Sequence, residues 1–190
     1  FCILFLGVIK KNTKFQDIHQ IEKNREIYFR NIIDQGALDL VLSTNEKRWI
    51  NNFFNGLFYL ENALNQNQIT NNPEFSYLFF NRSKQSGIAV CLSFLALFLA
   101  SDKFDIDQPR FLRILEMCKF LMDAYFNHYD EWINPPIFIN GHDIKKILEL
   151  NDGTRIGFWI NRIKTETING KIKSHKDAIQ FLVALKDNQN

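Results

Sequence analysis

Between Gly153 and Lys176 stand six basic side chains, Arg155, Arg162, Lys164, Lys171, Lys173 and Lys176, against a single acid, Glu166. Gly153 and Gly170 break the stretch with turns, so helix starts fall within or beside it. A helix N-terminus offers free backbone N–H groups and the positive end of the helix dipole, a setting that suits a phosphate. Clustered Lys and Arg on short turns add the sequence-independent, electrostatic part of nucleic-acid binding. The same charges also fit a small three-helix cap with a solvated basic face, and charge alone does not separate the two.

Other chemistry finds little support. Asp105-Ile106-Asp107 has the D-x-D spacing of a metal-binding carboxylate pair, but it precedes a helix instead of lying on a strand, and is read as helix capping. The four histidines, His19, His128, His142 and His175, form no i, i+4 pair, and no H-E-x-x-H, G-x-S-x-G or P-loop pattern occurs. His142, which follows a Gly at a helix start, is given a local hydrogen-bonding role. Cys2, Cys91 and Cys118 are odd in number and far apart, which points to a reducing compartment, the cytoplasm or an organelle interior. Phe53, Phe54, Phe58 and Tyr59, with Phe75, Tyr77, Phe79 and Phe80, could stack on bases if exposed, but their helical spacing assigns most of them to the core.

The elements that position these residues are helices. Ile18, Ile21, Tyr28 and Ile32 share the face of a helix that should stop near Gly36. Ser43 and Glu46 form a capping box ahead of the stripe Trp49, Ile50, Phe53, Phe54, Leu57, Phe58 and Leu64. A polar loop follows over Gln66–Glu74, then two helices between Phe75 and Ala100, the apolar run from Gly87 being read as buried. Asp107 caps another helix, with Pro109 in its first turn and Phe111, Leu112, Ile114, Leu115, Cys118, Leu121, Met122 and Tyr125 facing inward. No segment alternates long enough for a strand, so the fold class is all-α. No apolar stretch reaches the roughly 18 residues of a membrane span.

Asn134-Pro135-Pro136 is the strongest break, because consecutive prolines cannot continue a helix. Residues 101–140 carry four basic and seven acidic side chains, and residues 141–190 nine basic and six acidic, within a net charge of +2 for the whole chain. A helical body over 1–132 and a small basic tail over 133–190 are therefore expected. In the tail, a short helix spans Ile144–Leu150, a turn covers Asn151-Asp152-Gly153, and a longer helix runs from Thr154 to about Thr165. Ser174, with Asp177 as its capping partner, opens a last helix that carries Ala178, Ile179, Phe181, Leu182 and Leu185 on its apolar face.

The tail's run of Pro135, Pro136, Asn140, Gly141, His142, Asp143, Gly153, Ile156, Gly157, Gly170, Ile172 and Ala178 resembles, in order and spacing, the C-terminal tail of the bacterial tRNA nucleotidyltransferase family of CCA-adding enzymes and poly(A) polymerases. The similarity covers about 50 residues; Leu42-Ser43-Thr44-Asn45-Glu46 and the aromatic helix behind it look more faintly like the family's body. The resemblance implies a tRNA-binding body and tail, with catalysis in an N-terminal head that supplies the paired carboxylates, Mg and an ATP- or CTP-selecting neck. Neither head nor neck is covered, so no cofactor is expected in this chain, and alone it should be inactive. The chain opens on Phe1, as a segment of a longer protein would, and Phe1–Ile9 lacks the basic leader and small-residue cleavage site of a signal peptide. Some relatives carry an HD phosphohydrolase core; here Leu6 and Gly7 stand where its His and Asp would be, and Asn24 or Arg25 falls near the next ligand, so that activity is expected to be lost.

The expected partners are tRNA and the chain's own N-terminal catalytic domain, with a homodimer possible. Lys145, Arg155, Arg162, Lys164, Lys171 and Lys173 are the expected phosphate contacts. The competing expectation is a helical interaction or dimerisation module without RNA.

Overall fold

A computed structural model describes residues 41–66, 72–100, 107–150 and 153–187, together with Asn31. Among them are seven α-helices and no strand: α1 Thr44–Asn65, α2 Pro73–Ser83, α3 Gly87–Leu99, α4 Gln108–Asn127, α5 Gly141–Ile147, α6 Gly153–Ile168 and α7 His175–Asp187. The all-α fold follows from the helical spacing of the apolar residues. The helix proposed up to Gly36, the Phe1–Ile9 segment, Leu6, Gly7, Asn24, Arg25, Asp105-Ile106 and the Asn151-Asp152 turn lie outside the described residues. Among the described residues no helix is long and apolar enough to cross a membrane.

Ser43 and Glu46 close the predicted capping box on α1: the Glu46 carboxylate accepts the Ser43 N–H at 2.8 Å, and Ser43 Oγ accepts the Glu46 N–H at 3.3 Å. Pro73 starts α2 instead of ending a loop, because Asn72 accepts the Phe75 N–H at 2.8 Å and proline needs no donor at a first helical position. Asp107 caps α4 through Arg110 N–H at 3.0 Å, so the D-x-D pair's one described member serves the helix start.

The core of the body is built by Ile50, Phe53, Phe54 and Leu60 of α1, Phe75 and Phe79 of α2, Val90 and Cys91 of α3, and Ile114, Met117, Cys118 and Leu121 of α4. Phe53, Phe54, Phe75, Tyr77, Phe79 and Phe80 are all buried, which makes them core residues and not stacking platforms. Gly56 lets α1 approach α2 and α3, since a Cβ there would stand 2.8 Å from Ser83 Cβ.

Two expectations fail here. The apolar helix α3 buries only Gly87, Val90 and Cys91, and leaves Leu92, Leu97 and Leu99 exposed. Leu112 and Leu115 of α4, expected inside, point outward at 55% and 42% exposure. Both helices are apolar around more of their circumference than the body core can cover.

Beyond α4, a π-helical turn over Tyr129–Ile133 leads to Asn134, whose N–H donates to Tyr129 O at 2.8 Å, and the prolines then hold the chain out of helix. A second core follows, built on Ile139, Ile144, Leu150, Ile163, Ile172, Ala178 and Leu182. Asp143 lies 3.9 Å from His175, and Lys186 reaches Glu149 at 2.7 Å, so α5 and α7 run side by side in the same direction. One face of α6 covers this core. A flank of α6 and its C-terminal end meet α2, where Tyr77 Oη donates to Asn161 Oδ1 at 3.2 Å and Asn169 donates to Glu74 at 3.3 Å.

Candidate nucleic-acid interface

The tail's turns are set by local chemistry. Asn140 accepts the Asp143 N–H at 2.9 Å, which starts α5 at Gly141, three residues before the predicted Ile144. Gly141 is needed for space, because a Cβ would lie 3.1 Å from Ile156 Cγ2 of α6. His142 is exposed and its ring makes no hydrogen bond among the described residues, contrary to the local bond expected of it; it shares a shallow depression with Lys145, Lys146, Glu149 and Leu150. Of the two prolines, Pro135 is buried and Pro136 exposed. Gly153 and Gly157 lie in the first turns of α6 with nothing within 4 Å of a Cβ, so neither is there for packing.

Gly170 sits at φ 73°, the left-handed position that ends α6. Around it the Gly170 N–H donates to Thr167 O at 2.9 Å and the Lys171 N–H to Glu166 O at 2.9 Å, the paired bonds of a Schellman motif. Asp177 N–H then donates to Ser174 Oγ at 3.2 Å, while the Asp177 carboxylate takes the N–H of Lys173, one residue ahead of the expected cap, at 3.0 Å. These bonds hold the Asp177 carboxyl below its usual range, the Lys173 N–H contributing most.

The Schellman turn folds Lys171 back on α6. Glu166 is buried, at 4% exposure, and is gripped from two sides: Arg162 Nη2 stands 3.2 Å from Oε1, and Lys171 Nζ 2.8 Å from Oε2. The two basic side chains stay largely open to solvent, at 54% and 67%. A carboxylate in this position needs its cations, since an unpaired buried charge is costly. Arg162 and Lys171, expected as free phosphate contacts, are thus shared with Glu166, and the three together present a single net positive charge.

The six predicted contacts also fail to share one surface. Successive helical residues are rotated by about 100°, so Arg162 and Lys164, two apart, leave α6 in nearly opposite directions. Lys164 is half-buried on the side that meets the body, where it lines a cleft with Lys84 and Tyr77 of α2 and its C-cap. Lys145 is exposed on α5, and Lys173 is exposed on the turn before α7. Arg155 is exposed on α6, and like Lys145 and Lys173 it has no ion pair among the described residues.

One aromatic residue escaped sequence reading. Phe158, 63% exposed, lies between Arg155 and Arg162 at i, i+3, i+7 and so on the same face of α6. Its ring is braced edge-on against Trp159, 5.3 Å between centroids, and Trp159 packs on the tail core. The signal was present in the spacing: Ile156, Ile160 and Ile163 mark the buried face, leaving Arg155, Phe158 and Arg162 off it. An exposed ring flanked by two guanidinium groups can stack on a base while its neighbours hold phosphates. Among the described residues no group of three His, Cys, Asp or Glu side chains is placed to hold a metal ion. No family model matches the chain, and neither a curated protein nor a solved structure matches it.

Proposed function

We propose that this chain is the tRNA-binding body and tail of a tRNA nucleotidyltransferase. On this reading it steadies a folded tRNA by shape and phosphate contacts while a head outside this chain, with its magnesium ions and ATP or CTP, adds nucleotides to the 3′ end. The observation that carries the reading is the Arg155–Phe158–Arg162 face of α6, bordered by Lys171. The motif-like glycines and Asn140-Gly141-His142-Asp143 support it on the sequence side. Its setting is a reducing compartment, either the cytoplasm or an organelle interior. Arg155, Lys145, Lys173 and the net charge of the Glu166 cluster amount to about four phosphate charges, for a salt slope near −3. Affinity for bulk tRNA, measured by fluorescence anisotropy, should therefore fall about 60-fold between 50 and 200 mM salt. Equal affinity at both concentrations would overturn the proposal.

A helical interaction or dimerisation module without RNA is the second reading, favoured by the exposed Leu92, Leu97, Leu112 and Leu115 of α3 and α4. Sedimentation showing a concentration-dependent mass, with no shift on adding tRNA, would favour it over the first.

A further inference from the structure

Where α2 and the π-helical turn of the body meet α6 of the tail lies a cleft of about 490 Å³. Lys84, the C-cap of α2, enters it from the body and Lys164 from the tail, and no carboxylate is among the residues that line it. Neither lysine has an ion pair among the described residues; Lys84 Nζ donates only to the neighbouring Asn81 side chain. Arg162 and Lys171 of the tail are paired with Glu166 and Lys186 with Glu149, whereas Lys164, like Lys145, Arg155 and Lys173, is left without a carboxylate among the described residues.

Burial first, and the Lys164 charge second, hold the Lys84 ammonium below the ordinary lysine range. The backbone is strained at the same residue, with φ at 47°, where glycine would sit without cost. Lys84 is exposed at the mouth of the cleft and Lys164 is half-buried in its wall, and the two like charges would both be answered by one anion seated there. The rest of the wall is neutral and suited to a flat polar ring, with the amides of Asn81, Asn134 and Asn161 and the 43% exposed ring of Tyr129. The volume falls in the range of small-ligand sites.

We propose that this cleft binds a free mononucleotide, its phosphate held between Lys84 and Lys164 and its base against Tyr129 and the asparagine amides. A phosphate monoester carries close to two negative charges near neutral pH, enough to answer both ammonium groups. The ligand touches both the body and the tail and so ties the two together. Lys164 and the Arg155–Phe158–Arg162 face leave α6 in nearly opposite directions, so this site is independent of the RNA-binding reading and either can fail alone.

The test is calorimetric titration of the whole chain with AMP, adenosine and inorganic phosphate. AMP binds, inorganic phosphate binds more weakly, and adenosine more weakly still. Lys84→Gly removes the ammonium while relaxing the backbone, and Lys164→Met keeps the aliphatic stem; each should weaken AMP at least about tenfold, the loss of one charge-assisted bond. Lys84→Gly should melt no lower than the parent and should bind tRNA unchanged. AMP binding no tighter than adenosine or phosphate, or no loss in either variant, overturns the proposal.

Discussion

Replacing Glu166 by Gln separates stability from RNA binding in opposite directions. The carboxylate is 4% exposed and lies 3.2 Å from Arg162 and 2.8 Å from Lys171. Both contacts are ion pairs without hydrogen-bond geometry, and losing one partner of a fully buried ion pair costs about 3–5 kcal/mol. Here both cations are more than half exposed and regain water once released, so we discount the loss to about 2 kcal/mol. For a chain of this length that lowers Tm by about 6 °C, readable by circular dichroism. The same substitution releases two cations for one lost anion, raising the tail's net charge by one. The tRNA salt slope should steepen by about 0.8 and affinity at low salt should rise. A protein that is less stable yet binds RNA more tightly is a result few purely structural roles produce. An unchanged melting temperature would show that Glu166 is not held by these two cations, and an unchanged salt slope would show that they do not face RNA.

Other expectations follow from local geometry. Asn140→Ala removes the cap of α5 and should cost about 1 kcal/mol by urea unfolding. Gly157→Ala fills open space in a helix interior and should stabilise by about 1 kcal/mol, as a raised Tm would report. The hydrogen bond with Cys118 and burial push the Cys91 thiol well above its usual range, so Cys91 should resist thiol reagents at pH 8 until the protein unfolds. Glu46 and Asp177 are held below their usual ranges by their hydrogen bonds to Ser43 and to Lys173 N–H, respectively. Their contribution to stability is therefore present above the unfolded-state values and is lost as pH falls below about 4. Ser43→Ala should flatten that acid limb in a pH series of melting curves.

Sequence made the helices legible wherever a cap stood before a periodic stripe, as Ser43 and Asp107 do. It placed Pro73 in a loop because Asn72, a capping residue, looked like one more member of an Asn-rich tract. It buried Leu92, Leu97, Leu112 and Leu115 because an apolar residue carries no mark of whether a neighbour covers it. For the candidate interface, the divergence of Arg162 and Lys164 was readable from their spacing, and so was the Arg162–Glu166 pairing at i, i+4. Counting charges along the chain hid both. The return of Lys171 onto Glu166 depends on the left-handed Gly170 turn, and the facing of Lys84 by Lys164 on two helices 80 residues apart in sequence. Neither leaves a local trace.

Photo-crosslinking of the chain to tRNA, followed by mass spectrometry of the attached peptides, locates the surface of the protein that RNA touches. Nucleotide adducts should concentrate at Phe158 and in the peptides carrying Arg155, Arg162 and Lys171, and should be lost with Phe158→Leu. Adducts spread evenly over the surface, or gathered on α3 and α4 away from the tail, would contradict the RNA-binding reading.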